Sequence, residues 1–308
     1  DPPGKPSPDD RRIPVGTGLL PGRSITSLAP PLILAVRRDL GFTTDRDETS
    51  AGPDDSHALP TLSVEDPIPM IAADTSHSPL PGHASTDGPP CSFAETPRIE
   101  LFGIRFDPLR MSQVVDRLFD WIEHPGTSTR YVVTPNVDHA VLYQERADLR
   151  QAYATASLVV ADGRPVVAAS RWLRRPLPET VAGSDLVPAL FDRSLATGRP
   201  LKIFLLGAGP GVADRAATRV AERWPTVTTV GTASPDVGFE KRPEVEAELL
   251  ARVAAARPDL LVVGLGAPKQ ELWVARHRER IAAPVSLCVG ATIDFLAGER
   301  HRAPVWMR

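Results

Sequence analysis

Cysteine is almost absent from this chain: 308 residues contain two, Cys91 and Cys288, far apart and in unlike surroundings. That excludes a disulfide framework and a cysteine-based zinc site, and it fits a reducing, cytoplasmic environment. Cys288 stands inside the apolar run PVSLCVG and reads as a small packed hydrophobe. Long hydrophobic runs are missing as well. Nothing approaches the roughly 18 residues of a membrane span. Residues 28–36 are too short, are broken by Pro30 and Pro31, and lack the flanks of a secretory signal. Nor is there an excess of one charge: a net charge of −3 leaves no global field to draw in nucleic acid. His139, His277 and His301 have no metal-ligand spacing, no Ser/His/Asp arrangement is evident, and residues 97–308 contain no Asp-x-Asp pattern for a metal-bound diphosphate.

What is present divides at about residue 96. Residues 1–96 hold about half of the 33 prolines, with many Ser, Thr, Asp and Gly and little periodicity. Such a segment buries too little apolar area to offset its ordering entropy, so disorder is expected there. Residues 97–308 form the second unit, in which apolar strands alternate with amphipathic helices. IELFGIRFD reads as a strand or hairpin, followed by a helix capped by Ser112 and running to Glu123. RYVVT (130–134) is a strand, then a helix runs from Pro135-Asn136 to about Tyr153, and SLVVAD (157–162) is the next strand. A helix over 165–173 precedes another that opens at Gly183-Ser184-Asp185, with Ser184 or Asp185 as its cap, and closes at Gly198. LKIFLLG, VTTVGT and PVSLCVG are further strands, and the spacing predicts helices over 211–224 and 243–256. Strands and helices alternating at this spacing predict an α/β fold: a Rossmann-like, mostly parallel sheet with helices on both faces.

The most informative stretch is PDLLVVGLGAPKQE (258–271), an apolar strand running through a Gly-Pro loop into a helix. In that helix Leu272, Trp273, Ala275 and Ile281 read as inward, and Lys269, Glu271, Arg276, Arg278 and Arg280 as exposed. Lys269, Gln270 and Glu271 therefore stand where a strand ends and a helix begins, the edge at which open α/β sheets bind ligands. The loop Gly207-Ala208-Gly209-Pro210-Gly211 is either a tight turn or a diphosphate cradle. A dinucleotide site wants an acid at the end of the following strand, and VTTVGT has none. Asp162, next to Gly163 at a strand's end, is a candidate general base or an Asx turn or cap. Thr134 and Asn136, at the matching edge of the preceding strand, either bind a sugar or phosphate or cap a helix. Asp294 reads as a buried partner for Arg300 or Arg302.

Six motifs then occur in order: TPN (134–136), ADG (161–163), AGSDLVPAL (182–190), FLLGAGPGVA (204–213), VGLGAPKQELWVAR (263–276) and VGATIDFLAGERHRAPVWMR (289–308). Together, over roughly residues 99–308, they resemble the WecG/TagA/CpsF family of bacterial glycosyltransferases. The resemblance implies an inverting, metal-independent enzyme without cofactor that acts in cell-envelope polysaccharide synthesis. It would move an N-acetylmannosamine-type sugar from UDP to a polyprenyl-diphosphate-linked N-acetylglucosamine. It would work at the inner face of the membrane through peripheral contact, and self-association is compatible with an apolar face near Trp306. By position, Asp162 would be the catalytic base, with Thr134, Asn136 and Gln270 in the same pocket. Gly163, Gly183, Ser184, Asp185, Gly207, Gly209, Gly211, Gly266, Lys269, Glu271, Asp294 and Arg302 would bind substrate.

Three departures accompany the resemblance. Thr180 stands where relatives carry an arginine suited to the diphosphate; Arg164, Arg171 or an arginine near Arg308 would have to replace it. Arg164-Pro165 follows Asp162-Gly163 where a small or apolar pair is usual. The sequence stops at Arg308, where relatives continue into a basic, aromatic tail; either the sequence is truncated or the protein lacks that tail, and a truncated form is expected to bind UDP-sugar weakly and transfer slowly. Two other readings stand beside the transferase: a Rossmann-type NAD(P)-dependent oxidoreductase built on the GAGPG loop, and an inactive relative that binds a nucleotide sugar.

Overall fold

Runs such as LKIFLLG, LLVVG and VSLC hold too much apolar surface to face water, and they form the centre of one sheet in the computed structural model, which describes residues 96–300. The chain enters through an antiparallel hairpin, β1 (Ile99–Leu101) and β2 (Ile104–Phe106). The sheet itself contains β3 (Arg130–Val133), β4 (Leu158–Val159), β5 (Leu201–Gly207), β6 (Val227–Ala233), β7 (Leu260–Gly264) and β8 (Val285–Cys288). Every pairing is parallel, in the order β4-β3-β8-β7-β5-β6. Between and after the strands run α1 (Met111–Glu123), α2 (Val137–Glu145), α3 (Ala147–Ala154), α4 (Arg164–Trp172), α5 (Gly183–Thr197), α6 (Val212–Arg223), α7 (Pro243–Ala256), α8 (Lys269–His277) and α9 (Thr292–Ala297). The expected α/β architecture is the one observed.

Successive side chains of a strand point to opposite faces, so each central strand feeds two cores. Ile203, Leu205, Val262 and Leu287 pack with α1, α5, α6 and α9. Phe204, Leu206, Leu261, Val263 and Cys288 pack on the other face with the hairpin, α2, α3, α4, α7 and α8. Cys288 is a fully buried free thiol, the packed hydrophobe its surroundings suggest. The chain leaves β5 outward to β6 and then returns past it to β7 and β8. Connections therefore diverge between β5 and β7, and a crevice opens at the C-terminal ends of these strands.

Several local expectations are corrected. The helix expected over 136–153 is two, α2 and α3, because Arg146 is extended (φ −116°, ψ 111°) and its guanidinium grips Asp148 at the start of α3. Ser112 does not cap α1; Arg110 is the N-cap, its N–H donating to Gln113 Oε1 at 2.8 Å. Neither Ser184 nor Asp185 caps α5, whose N-cap is Ala182; both sit in its first turn. Gly198 does close α5, in the left-handed conformation. The regular part of β4 is only two residues, although the ladder continues through Val160 N–H to Val133 O. Cys91, His301, Arg302, Trp306 and the proline-rich segment up to residue 95 lie outside the described residues.

The strand ends at the crevice are stripped of side chains. Gly207 has φ 118°, and a Cβ there would run into the backbone of Gly264; a Cβ on Gly264 would lie 2.8 Å from Gly290 O. Gly207→Ala is expected to destabilise the fold by roughly 3 kcal/mol, through collision plus backbone strain. Gly198→Ala, with a left-handed φ but open space around it, should cost only about 1–2 kcal/mol. Urea unfolding of the two variants against wild type measures the difference.

Candidate active site

Because the strands of the sheet are parallel, their C-terminal ends share one edge, and the residues singled out by sequence lie on it in two groups. The first group surrounds Asp162, just past β4. The Asp162 N–H donates to Pro135 O at 3.1 Å, which extends the β3–β4 ladder to the edge. Its half-buried carboxylate accepts the N–H of Gly183, at the start of α5. Burial and the neighbouring Asp185 charge raise its pKa to about 7. Asp162 is not a helix cap: the N-cap of α4 is Gly163, with no side-chain bond. Gly183 has to be glycine, since a Cβ would approach Val289 to 2.7 Å.

Thr180 holds this turn. Its hydroxyl accepts the Gly163 N–H at 2.7 Å and donates to Ala161 O at 3.3 Å, so both neighbours of Asp162 are tied to one side chain. Thr134 is buried at the end of β3 and donates to Cys288 O at 3.3 Å, which joins β3 to β8. Asn136 does cap α2, its Oδ1 accepting the His139 N–H at 3.1 Å, which leaves its NH₂ group for a ligand. Beneath α2, burial lowers the pKa of His139 to about 4, and its Nδ1 lies 3.2 Å from the Tyr153 hydroxyl. Arg171 is removed from the site, because it lies seven residues, about 10 Å, along α4 from Arg164.

The second group forms a cavity of about 350 Å³ at the ends of β5–β8, with Gly207, Gly266, Lys269 and Asp294 in its lining. Gly209 and Gly211 lie beyond that lining. The glycine loop is a stitched turn: the Ala208 N–H goes to Gly264 O at 3.1 Å, and the Ser234 hydroxyl bonds Gly207 O and Gly209 O at 3.0 and 3.3 Å. Asp294 and Arg300 both line the cavity, and among the described residues no ion pair joins them; the alternative partner, Arg302, lies outside the described residues. Sequence reasoning missed Asp236, Glu240, Gly290 and Arg300 in the same lining. VTTVGT ends without an acid, but the strand runs on to Ala233, and Asp236 and Glu240 follow it. Asp236 faces Arg242 at 3.5 Å, whereas Glu240 Oε2 is buried with no hydrogen-bond partner.

Gln270 lies between the two groups. Its Oε1 accepts the Gly290 N–H at 3.1 Å and its Nε2 donates to Glu271 Oε1 at 2.8 Å, which fixes the buried side chain against the loop after β8. Lys269 is exposed at the cavity rim, but Glu271 is fully buried, against the expectation that it faces water. The reason is the phase of α8: Gln270, Trp273, Val274 and His277 are buried, and His277 is anchored by Glu246 at 3.1 Å. Leu272 and Ala275, taken as inward, are only partly covered.

Glu271 Oε2 has no partner, and burial raises the Glu271 pKa from 4.5 to about 7, an effect the Gln270 bond partly offsets. The folded protein thus holds this proton more tightly than the unfolded chain. The associated stability is complete below about pH 4.5 and is lost as pH rises through about 7. Glu271→Gln, which can still accept from Gln270, is expected to be more stable than wild type by roughly 2–3 kcal/mol at pH 8 and little different at pH 4.5. Urea unfolding at the two pH values checks this.

Comparison with known proteins gives the family. The Glycosyl transferase WecG/TagA/CpsF family matches residues 99–308. The N-acetylglucosaminyldiphosphoundecaprenol N-acetyl-beta-D-mannosaminyltransferase of Staphylococcus aureus strain NCTC 8325 / PS 47 is 30% identical over 219 residues, covering 70% of this chain and 82% of its own. The same enzyme from strains COL and MSSA476 matches equally well. These matches set aside the oxidoreductase reading, and the chain belongs to the WecG/TagA/CpsF family and is a glycosyltransferase.

Proposed function

We propose that this chain transfers an N-acetylmannosamine-type sugar from a UDP-sugar to a polyprenyl-diphosphate-linked N-acetylglucosamine, with inversion and without a metal. The substrates follow the printed name of the Staphylococcus aureus relatives. The observation that carries the mechanism is Asp162: a carboxylate at the sheet edge, its pKa raised to about 7, clamped from both sides by Thr180. A base poised near neutral pH takes the proton of the acceptor hydroxyl as that oxygen attacks the anomeric carbon. The bond from that carbon to the diphosphate oxygen breaks, and UDP leaves with the electron pair.

The two groups suit two substrates. Asp162 and the β7 loop are separated by about three strand spacings, roughly 14 Å, with Gln270 between them. The nucleotide would lie in the cavity and the acceptor at the β4 end, with the transferred sugar between them, beside the Gly290 loop that Gln270 holds. Lys269 and Arg300 would take up the charge that develops on the leaving diphosphate, and Arg300 would stand in for the arginine that Thr180 replaces. Glu240 and Asp294 would accept hydrogen bonds from ribose hydroxyls and the base; the unpartnered Glu240 oxygen suits that use. Thr134 and Asn136 would hold the acceptor side, and the fixed alignment of both substrates supplies much of the rate.

The test is UDP release from UDP-N-acetylmannosamine with a water-soluble polyprenyl-diphosphate-N-acetylglucosamine analogue, run with EDTA. Release is expected to survive EDTA and to fall about 10²–10⁴-fold in Asp162→Asn. Loss in EDTA defeats metal independence, and full activity in Asp162→Asn defeats the base assignment. UDP binding without release marks an inactive relative. Since the base works ionised, kcat/KM is expected to rise with pH through about 7. Asp185→Asn removes a like charge and should move that limb to lower pH. Thr180→Val leaves the Gly163 N–H without its acceptor, and kcat is expected to drop about tenfold with KM little changed.

A further inference from the structure

The exposed flank of α4 carries Arg164, Ala168, Arg171 and Trp172 on one helical stripe. At the end of the helix the chain winds tightly. The Arg174 N–H donates to Arg171 O at 3.0 Å and the Arg175 N–H to Ser170 O at 2.8 Å, with Arg174 at φ 55°. This turn gathers the exposed side chains of Arg171, Trp172, Arg174 and Arg175 at one corner. Trp172 is 70% exposed, whereas Trp224 and Trp273 are buried. The partial negative charge of a helix C-terminus accounts for an arginine there; it does not account for an open indole among three of them. Two acids lie nearby, and the exposed Glu100 carboxylate offsets part of the charge, which leaves the cluster net positive. Glu179 is engaged by the Met111 N–H at 2.5 Å and by Arg110 at 3.7 Å, and Arg175 binds the backbone oxygen of exposed Glu100 at 3.0 Å.

We propose that this corner docks the enzyme on an anionic phospholipid bilayer, with the Trp172 indole in the headgroup region and the guanidiniums of Arg171, Arg174 and Arg175 on lipid phosphates. The proposal rests on the reading that the acceptor is lipid-linked. An indole, apolar with one N–H donor, partitions to membrane interfaces, and clustered basic residues are drawn to anionic leaflets. The whole chain is weakly acidic, with a net charge of −3, so attraction to such a surface has to be local. The geometry fits the chemistry. The nine residues of α4 span about 13 Å, and the helix begins two residues after Asp162. Docking at Trp172 therefore sets Asp162 about 13 Å along the helix from the bilayer contact. Because β4 is the edge strand, a headgroup approaching along α4 crosses no other strand of the sheet.

The experiment is co-sedimentation of the full chain with vesicles of phosphatidylcholine alone or mixed with phosphatidylglycerol, for wild type, Trp172→Ala and Arg174→Glu. Wild type is expected to bind the anionic vesicles and not the neutral ones, and each variant should bind at least tenfold more weakly. Release of UDP with the water-soluble acceptor should be unchanged in both variants, and matching thermal unfolding midpoints show that the fold is intact. Undiminished vesicle binding by both variants overturns the proposal, as does failure of wild type to bind anionic vesicles. A change of oligomeric state in Trp172→Ala with vesicle binding retained makes the corner a protein interface and overturns it too. If wild type releases no UDP with the soluble acceptor, the acceptor reading fails, while the vesicle result still decides the docking surface.

Discussion

The structure depends on how closely three strands end. Gly207, Gly264 and Gly290 meet at the C-terminal edge of β5, β7 and β8 with no room for a Cβ on the first two. Side chains there would fill the crevice that diverging connections open between β5 and β7. Without them the crevice becomes a cavity whose floor is backbone and whose polar groups come from the helices and loops around it. The same closeness explains why the glycine loop is stitched rather than open. Its amide and carbonyl groups are used by Gly264 and Ser234 to hold the strand ends together.

Charge is distributed along this edge in a way that suits transfer between two bound groups. At the β4 end, burial and Asp185 keep the Asp162 proton affinity near neutrality. At the β7 end, Lys269 and Arg300 bring positive charge to the rim, and Asp294 and Glu240 bring acceptors. Gln270 joins the two ends, held from one side by the β8 loop and from the other by a carboxyl that burial keeps near its own midpoint. Thr180 takes part in the same arrangement. As a hydroxyl it fixes the turn that carries Asp162.

The strands were legible because burial on both faces demands continuous apolar residues, and LKIFLLG and LLVVG meet that demand. The boundaries of α7 were legible because Pro243 opens it. The Asn136 cap of α2 and the Gly198 end of α5 were legible too, but the N-caps of α1 and α5 were not, since Ser112, Ser184 and Asp185 are good cap types while Arg110 and Ala182 hold the capping backbone geometry. The phase of α8 was misjudged for a related reason. A carboxylate reads as exposed in sequence, and only the tertiary packing of α8, which buries Gln270, Trp273, Val274 and His277, turns Glu271 inward.

By itself the sequence determined the α/β class, the alternation of strands and helices, and the positions of Asp162, Thr134, Asn136 and Gln270 at strand ends, because hydrophobic period and glycine placement are local properties. The order of the strands was decided only in three dimensions, and the site depends on that order. It separates Asp162 from the β7 loop by β3 and β8, and it brings the segment after β6 into the cavity. Burial, too, is a tertiary property. The raised pKa values of Asp162 and Glu271, the clamp at Thr180 and the exposure of Trp172 follow from which surfaces the fold leaves facing water, and no single stretch of chain encodes that.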